Sequence, residues 1–154
     1  MNTATRRLWV MLLLVGAAAC GDDGTGPTDP EDVTFAPSLG IDLAQMTRLE
    51  SGVYIQTVAE GNGTQQLIAV DLMTADYRLW IPDGTFIGGS PPPLNQPVSE
   101  FISGFAQGVI GMRIGEVRKI VIPSELGYRD RPPDGSGIPV HSVLVFEVIL
   151  ASIG

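Results

Sequence analysis

The chain has 154 residues, 44% of them apolar, which is enough for one domain with a genuine core plus appendages. Seventeen acidic residues against nine basic ones give a formal charge of −8. A surface of that sign repels phosphate backbones, so nucleic acid is excluded as an expected partner.

In chain order, Arg6 and Arg7 precede "LWVMLLLVGAA", an uncharged run shorter than the ~20 residues that span a bilayer, and residues 1–19 therefore read as a secretory signal peptide. Three alanines lead into Cys20, the only cysteine, which rules out an intramolecular disulfide. "GAAAC" followed by "GDDGTGPTDPED" resembles the lipobox and tether of a bacterial lipoprotein. That resemblance implies lipidation of Cys20 through a thioether, cleavage before it and acylation of the new amino group. Several acyl chains anchor stably where one does not, so the expected location is the cell envelope, on a membrane and facing the periplasm or exterior. An ordinary signal peptide with a chance cysteine is the plainer alternative.

From Gly21 to about Pro37 the composition is Gly, Asp, Thr and Pro, which bury too little surface to offset ordering entropy. Residues 20–50 are assigned to the acylated cysteine and a flexible tether, and 51–154 to the folded domain. Within the tether, Ile41 to Arg48 hold a short helical possibility with Asp42 as its N-cap, too brief to stand without packing. "VYIQTVA" then alternates as a strand, Gly61-Asn62-Gly63 turns, and "LIAVDLMTADYRLWI" supplies a long second run. "SPPPLNQPVSE" reads as a loop. A helix is expected from Ser103 to Ile110, capped by Ser103 or Ser99 and kept short by Gly104, Gly108 and Gly111. "EVRKIVI" and "SVLVFEVILASI" give two further strands. The fold class is α+β, one twisted antiparallel sheet wrapped around one short helix.

The sequence offers no phosphate loop, no His/Cys metal cluster and no serine or cysteine with a plausible base, His141 being the single histidine. No cofactor and no metal are expected. Any enzymology must work without a nucleophile.

The most specific stretch is "GFAQGVIGMRIGEVRKIVIPSELGY", Gly104 to Tyr128, continued by "GIPVHSVLVFEVIL" from Gly137 to Leu150 and preceded by "SGVYIQTVAEGNG". Together these resemble the FKBP-type peptidyl-prolyl isomerases over about 100 residues. The resemblance implies an apolar pocket between helix and sheet. It implies Tyr77, Phe105, Tyr128 and Phe146 as the catalytic set and Ile87, Phe101, Ile102 and Ile138 as substrate-binding walls, with a backbone N–H near Ile138 holding a carbonyl. Proline-containing polypeptides are the implied partners, and a monomer is expected.

Such a pocket suits its task. Resonance opposes rotation about a peptide bond by ~18–20 kcal/mol, and X-Pro is the bond whose two isomers lie close in energy. A water-poor cleft that binds the twisted amide better than either planar isomer accelerates the rotation without covalent chemistry. Each residue also has a plainer reading: aromatic residues inside a small sheet are commonly core, His141 is structural at the pocket rim, and Glu116-Val117-Arg118-Lys119 is a solvated strand face.

One stretch departs from the family. "PDGTFIGGS" stands where these isomerases carry "DG-x-x-F-D-S-S", so that with Tyr77 fixed Ile87 replaces the pocket phenylalanine and Gly88 the aspartate. Placing Phe86 there instead needs a bulge to bring it to the pocket face. Two readings follow: an active prolyl isomerase, or a weakly active module that binds proline-containing segments.

Overall fold

The structure, a computed structural model, describes residues 26–90 and 93–154. Residues 1–19, expected to be a signal peptide, and Cys20 lie outside the described residues. Seven strands form one antiparallel sheet: β1 (Thr47–Arg48), β2 (Tyr54–Ala59), β3 (Leu72–Trp80), β4 (Phe86–Gly89), β5 (Leu94–Pro97), β6 (Val117–Ile122) and β7 (Leu144–Ile153). Their order is β1-β2-β6-β7-β3-β4, with β5 also pairing to β3 below β4. Among the described residues one α-helix, α1 (Ser103–Val109), packs on the inner face.

Period-2 alternation decides which side chains face it. Met73, Ala75 and Leu79 of β3, Ile120 and Ile122 of β6, and Phe146, Val148 and Leu150 of β7 point inward around Phe105 and Val109. The helix comes close because it presents glycines to the sheet. A Cβ on Gly104 would collide with the Ile122 side chain, and one on Gly108 with Ile120. These glycines thus set helix-to-sheet distance rather than merely limiting helix length. Ser103 is the first helical residue, not the cap; Ile102 precedes it and gives no side-chain cap, while the Ser103 hydroxyl accepts from Gln107 Nε2 at 2.9 Å.

The outer face is covered too, and here the expected tether to residue 50 is corrected. Residues 30–48 fold onto the sheet through short 3-10 turns at Pro30–Asp32, Pro37–Leu39 and Leu43–Gln45, followed by β1. Leu39 and Met46 bury against Tyr54, Val121, Val143 and Val145, with Phe35 and Trp80 at the margin. Asp42 caps its turn by accepting from the Ala44 N–H at 3.1 Å. This cover explains why "KIVI" and "LVF" read as unbroken apolar runs: both faces of β6 and β7 are dry at that end. "LNQP", read as loop, is strand because it completes the free edge of β3, with Ala75 opposite Leu94 and Leu72 opposite Pro97.

The solvated face expected at Glu116–Lys119 is also corrected. Glu116 and Arg118 are 3% and 7% exposed and form an ion pair at 2.6 Å beneath the helix. Arg118 further donates to the carbonyls of Gly108 and Ile110 at 2.9 and 3.0 Å, the C-terminal end of α1, where a cation is favoured. Glu116 also accepts from the Thr57 hydroxyl and the Arg113 N–H, so every charge is satisfied.

Candidate functional site

A cleft of about 340 Å³ opens between α1 and the inner face of the sheet. Strand β3 places Tyr77 and Leu79 in it, two residues apart and hence on one face. In β7, Phe146 stands opposite Leu79 in register. The segment entering α1 adds Phe101 and Ile102, the helix adds Phe105, and the turn after β6 adds Tyr128. The rings form a continuous wall. Phe105 lies 4.8 Å from Phe101 and 5.0 Å from Phe146, the latter edge-on at 70°, and Tyr77 lies 6.1 Å from Phe146. Edge-on and tilted pairs of this spacing hold one another's orientation.

Six of the eight residues singled out from the sequence therefore meet in one cleft. The other two stand elsewhere in the same core. Ile87 is half-buried and packs against the main cluster from β4, and Ile138 is buried in it, but neither lines the cleft. The N–H of Ile138 is already used, donating to Ser136 Oγ at 3.2 Å. Among the described residues, the Ile102 N–H beside the cleft has no acceptor, and neither has that of Tyr128. Sequence reasoning missed Leu79, Leu94, Gln96 and Glu100 as lining residues. Alternation from Tyr77 reveals Leu79; the other three required knowing that β5 and the 3-10 turn Val98–Glu100 exist.

Burial pushes the Tyr128 phenol above the ordinary tyrosine value of 10.0, and Tyr77 nearby pushes the same way. The phenol thus stays neutral and able to donate. Among the described residues neither the Tyr77 nor the Tyr128 hydroxyl has a hydrogen-bond partner, so both remain available to a ligand. His141 faces no such task. It holds a positive φ of 54°, its N–H donates to the Arg129 carbonyl at 2.6 Å, and its buried Nδ1 has no partner.

The register of β4 bears on the missing acid. Phe86 pairs with Trp80 and Gly88 with Leu79, so Ile87 is the extra residue of a bulge. Phe86 is 57% exposed and stacks edge-on against Trp80 on the outer face, while Ile87 turns toward the core. No heavy atom lies within 4 Å of a Cβ built on Gly88. Gly88→Asp is accordingly expected to change stability by no more than about 0.5 kcal/mol and to raise kcat/KM for X-Pro peptides; an unchanged kcat/KM would show that this position does not face the substrate.

Two other hollows lie on the opposite face of the sheet. One, of about 430 Å³, is lined by Arg78, Lys119 and Glu147, and the other, of about 270 Å³, by Asp76, Arg78 and Glu147. Charged walls do not suit a proline ring, whereas the aromatic cleft does.

Sheet, helix and aromatic cleft define an α+β domain with one antiparallel sheet around a short helix and an aromatic hollow between them. The comparisons give that class its family. The model of the FKBP-type peptidyl-prolyl cis-trans isomerase matches residues 63–151. A protein named FK506-binding protein, from Neisseria meningitidis serogroup B, is 34% identical over 107 residues, covering 66% of this chain and 96% of that protein. Human peptidyl-prolyl cis-trans isomerase FKBP2 is 44% identical over 91 residues, covering 54% of this chain and 61% of that one. Among solved structures, a peptidyl-prolyl cis-trans isomerase from Pseudomonas syringae superposes with a TM-score of 0.65 at 25% identity, covering 71% of this chain and 80% of that one. The chain belongs to the FKBP-type peptidyl-prolyl cis-trans isomerases.

Proposed function

We propose that the isomerisation takes place in the cleft bounded by Tyr77, Phe105, Tyr128 and Phe146, on polypeptides of the cell envelope. The observation that carries this reading is the ring wall: three phenylalanines and two tyrosines converge on one apolar hollow with two unpartnered hydroxyls. A proline ring seats against Phe105 and Phe146. The free Ile102 N–H and the Tyr128 hydroxyl donate to carbonyls flanking the X-Pro bond. Donors fixed before the reaction favour whichever amide geometry presents its carbonyls to them, and the dry walls favour the twisted amide, whose separated charge is smaller than that of the planar forms.

Because the neutral phenol is the donor, Tyr128→Phe is expected to lower kcat/KM about five- to tenfold with the fold intact. Wild-type activity is expected to hold through mildly alkaline solution and to decline only above pH ~10, where the phenol ionises. Full activity in Tyr128→Phe would remove the hydroxyl from the account.

A second reading is favoured by Gly88, which stands where the family pattern has an acid: a binding module that holds proline-containing segments with little turnover. Peptide binding without catalysis would select it.

Location rests on Cys20. With a lipidated Cys20 the domain works at a membrane surface on secreted clients. Cys20→Ser is expected to abolish incorporation of labelled fatty acid and to release the protein from membranes; retention without the thiol would refute the anchor.

A further inference from the structure

The N-terminal segment does more than cover the outer face. Its first described contact reaches the turn that carries Tyr128. The Thr28 N–H donates to Ser124 Oγ at 2.7 Å, and the Ser124 N–H donates back to the Thr28 carbonyl at 3.0 Å. Ser124 is completely buried and follows directly on Pro123 at the end of β6. Its own carbonyl accepts from the N–H groups of Gly127 and Arg129, at 3.1 and 3.2 Å. Those are the two residues flanking Tyr128. One serine thus holds the turn on both sides of the cleft tyrosine and is itself held by a residue ninety-six positions earlier in the chain.

The other end of the segment is fixed independently. Pro30 is buried, and Glu31 accepts from the Tyr54 hydroxyl at 2.6 Å and from Arg48 Nε at 3.2 Å. Residues 28–31 therefore run as a strap between the β1–β2 edge and the Tyr128 turn. The far side of the turn is held by the His141 N–H, which donates to the Arg129 carbonyl at 2.6 Å, and by Arg129 Nε, which donates to the Glu125 carbonyl at 2.7 Å; Ser124 is the tie on its near side. Arg129 holds a positive φ of 55°, a conformation that costs a non-glycine residue free energy and persists only where its surroundings enforce it. A part-buried backbone N–H and a fully buried hydroxyl that satisfy each other are costly to separate.

We propose that Thr28 and Ser124 are positioning residues for the isomerisation: the strap clasps the turn at Ser124 and thereby sets where the Tyr128 hydroxyl points in the cleft. This rests on the reading that Tyr128 serves the substrate. It makes the N-terminal segment part of the working enzyme, with cleft geometry dependent on a contact that lies outside the cleft and before the first strand.

The test uses the full chain in three forms. Thr28→Pro removes the donated N–H at the end of the strap, Ser124→Ala removes the buried acceptor, and Thr28→Ala keeps the N–H and serves as the control. Thr28→Pro and Ser124→Ala are expected to lower kcat/KM about three- to tenfold, mainly in kcat, to shift the NMR signal of labelled Tyr128, and to leave that of Tyr77 in place. Thr28→Ala is expected to match wild type. Combining Thr28→Pro with Ser124→Ala should add little to either alone, since both break one clasp. Folded Thr28→Pro with an unmoved Tyr128 signal and wild-type kcat/KM would overturn the proposal, even if Ser124→Ala fails to fold. Tyr128→Phe separates the two ideas. If it leaves activity unchanged, the use of Tyr128 in catalysis falls and positioning falls with it; if it lowers activity while the strap variants do not, only the strap proposal falls.

Discussion

Phe105→Ala is expected to destabilise the domain by ~3–5 kcal/mol and to lower kcat/KM on the order of a hundredfold. The ring is 2% exposed and sits where the helix meets the sheet, touching Phe101 on one side and Phe146 on the other. Truncation therefore opens a cavity that rigid neighbours fill poorly: β7 is hydrogen-bonded on both sides, and Gly104 and Gly108 already hold the helix at its closest approach to β6. The same ring is the floor of the cleft, so Phe101 and Phe146 lose the partner that fixes their tilt. Denaturant unfolding measures the first effect and the peptide assay the second. Phe105→Leu separates them. It fills most of the volume, so it is expected to recover stability more fully than activity. A Phe105→Ala protein with near-wild-type stability would mean that the helix does not pack as described.

Arg118→Met is the second large effect, again about 3–5 kcal/mol, and here activity suffers only through the fold. The substitution preserves most of the buried volume but strands the Glu116 carboxylate at 3% exposure with the Thr57 hydroxyl and one backbone N–H as its remaining partners. It also frees the carbonyls of Gly108 and Ile110 at the end of α1. Adding Glu116→Gln to Arg118→Met removes the stranded charge and is expected to restore a good part of the loss. If the single variant unfolds at the wild-type denaturant midpoint, the pair is not buried in solution.

These two cases mark where the sequence was legible and where it was not. The inner face of the sheet could be read because alternation is local: once Tyr77 is placed, Leu79 follows, and the "GM-x-x-GE" stretch fixes α1 and β6 together. The ion pair could not. "EVRK" has the composition of a wet strand, and only the approach of the helix end makes Arg118 a buried ligand of carbonyls. The N-terminal segment failed for a related reason. Its Gly, Pro and Asp content cannot build a core of its own, but Leu39 and Met46 borrow one from Tyr54, Val121 and Val145. The unbroken apolar runs in β6 and β7 were the available signal, since a strand dry on both faces needs a cover. The family pattern places Ile87 and Ile138 in the pocket; Ile138 is in the core and Ile87 packs against it, yet lining a cleft depends on which side chains lie at its mouth. Pattern alone does not carry that.

The activity proposed for this chain is prolyl isomerisation in the aromatic cleft. A protease-free assay on a series of X-Pro peptides, with the folded chain confirmed by circular dichroism, tests it most directly. Acceleration above the uncatalysed rate is expected, and it should fall with Phe105→Leu and Tyr128→Phe. A folded chain that leaves the rate at the buffer value for every peptide would contradict it.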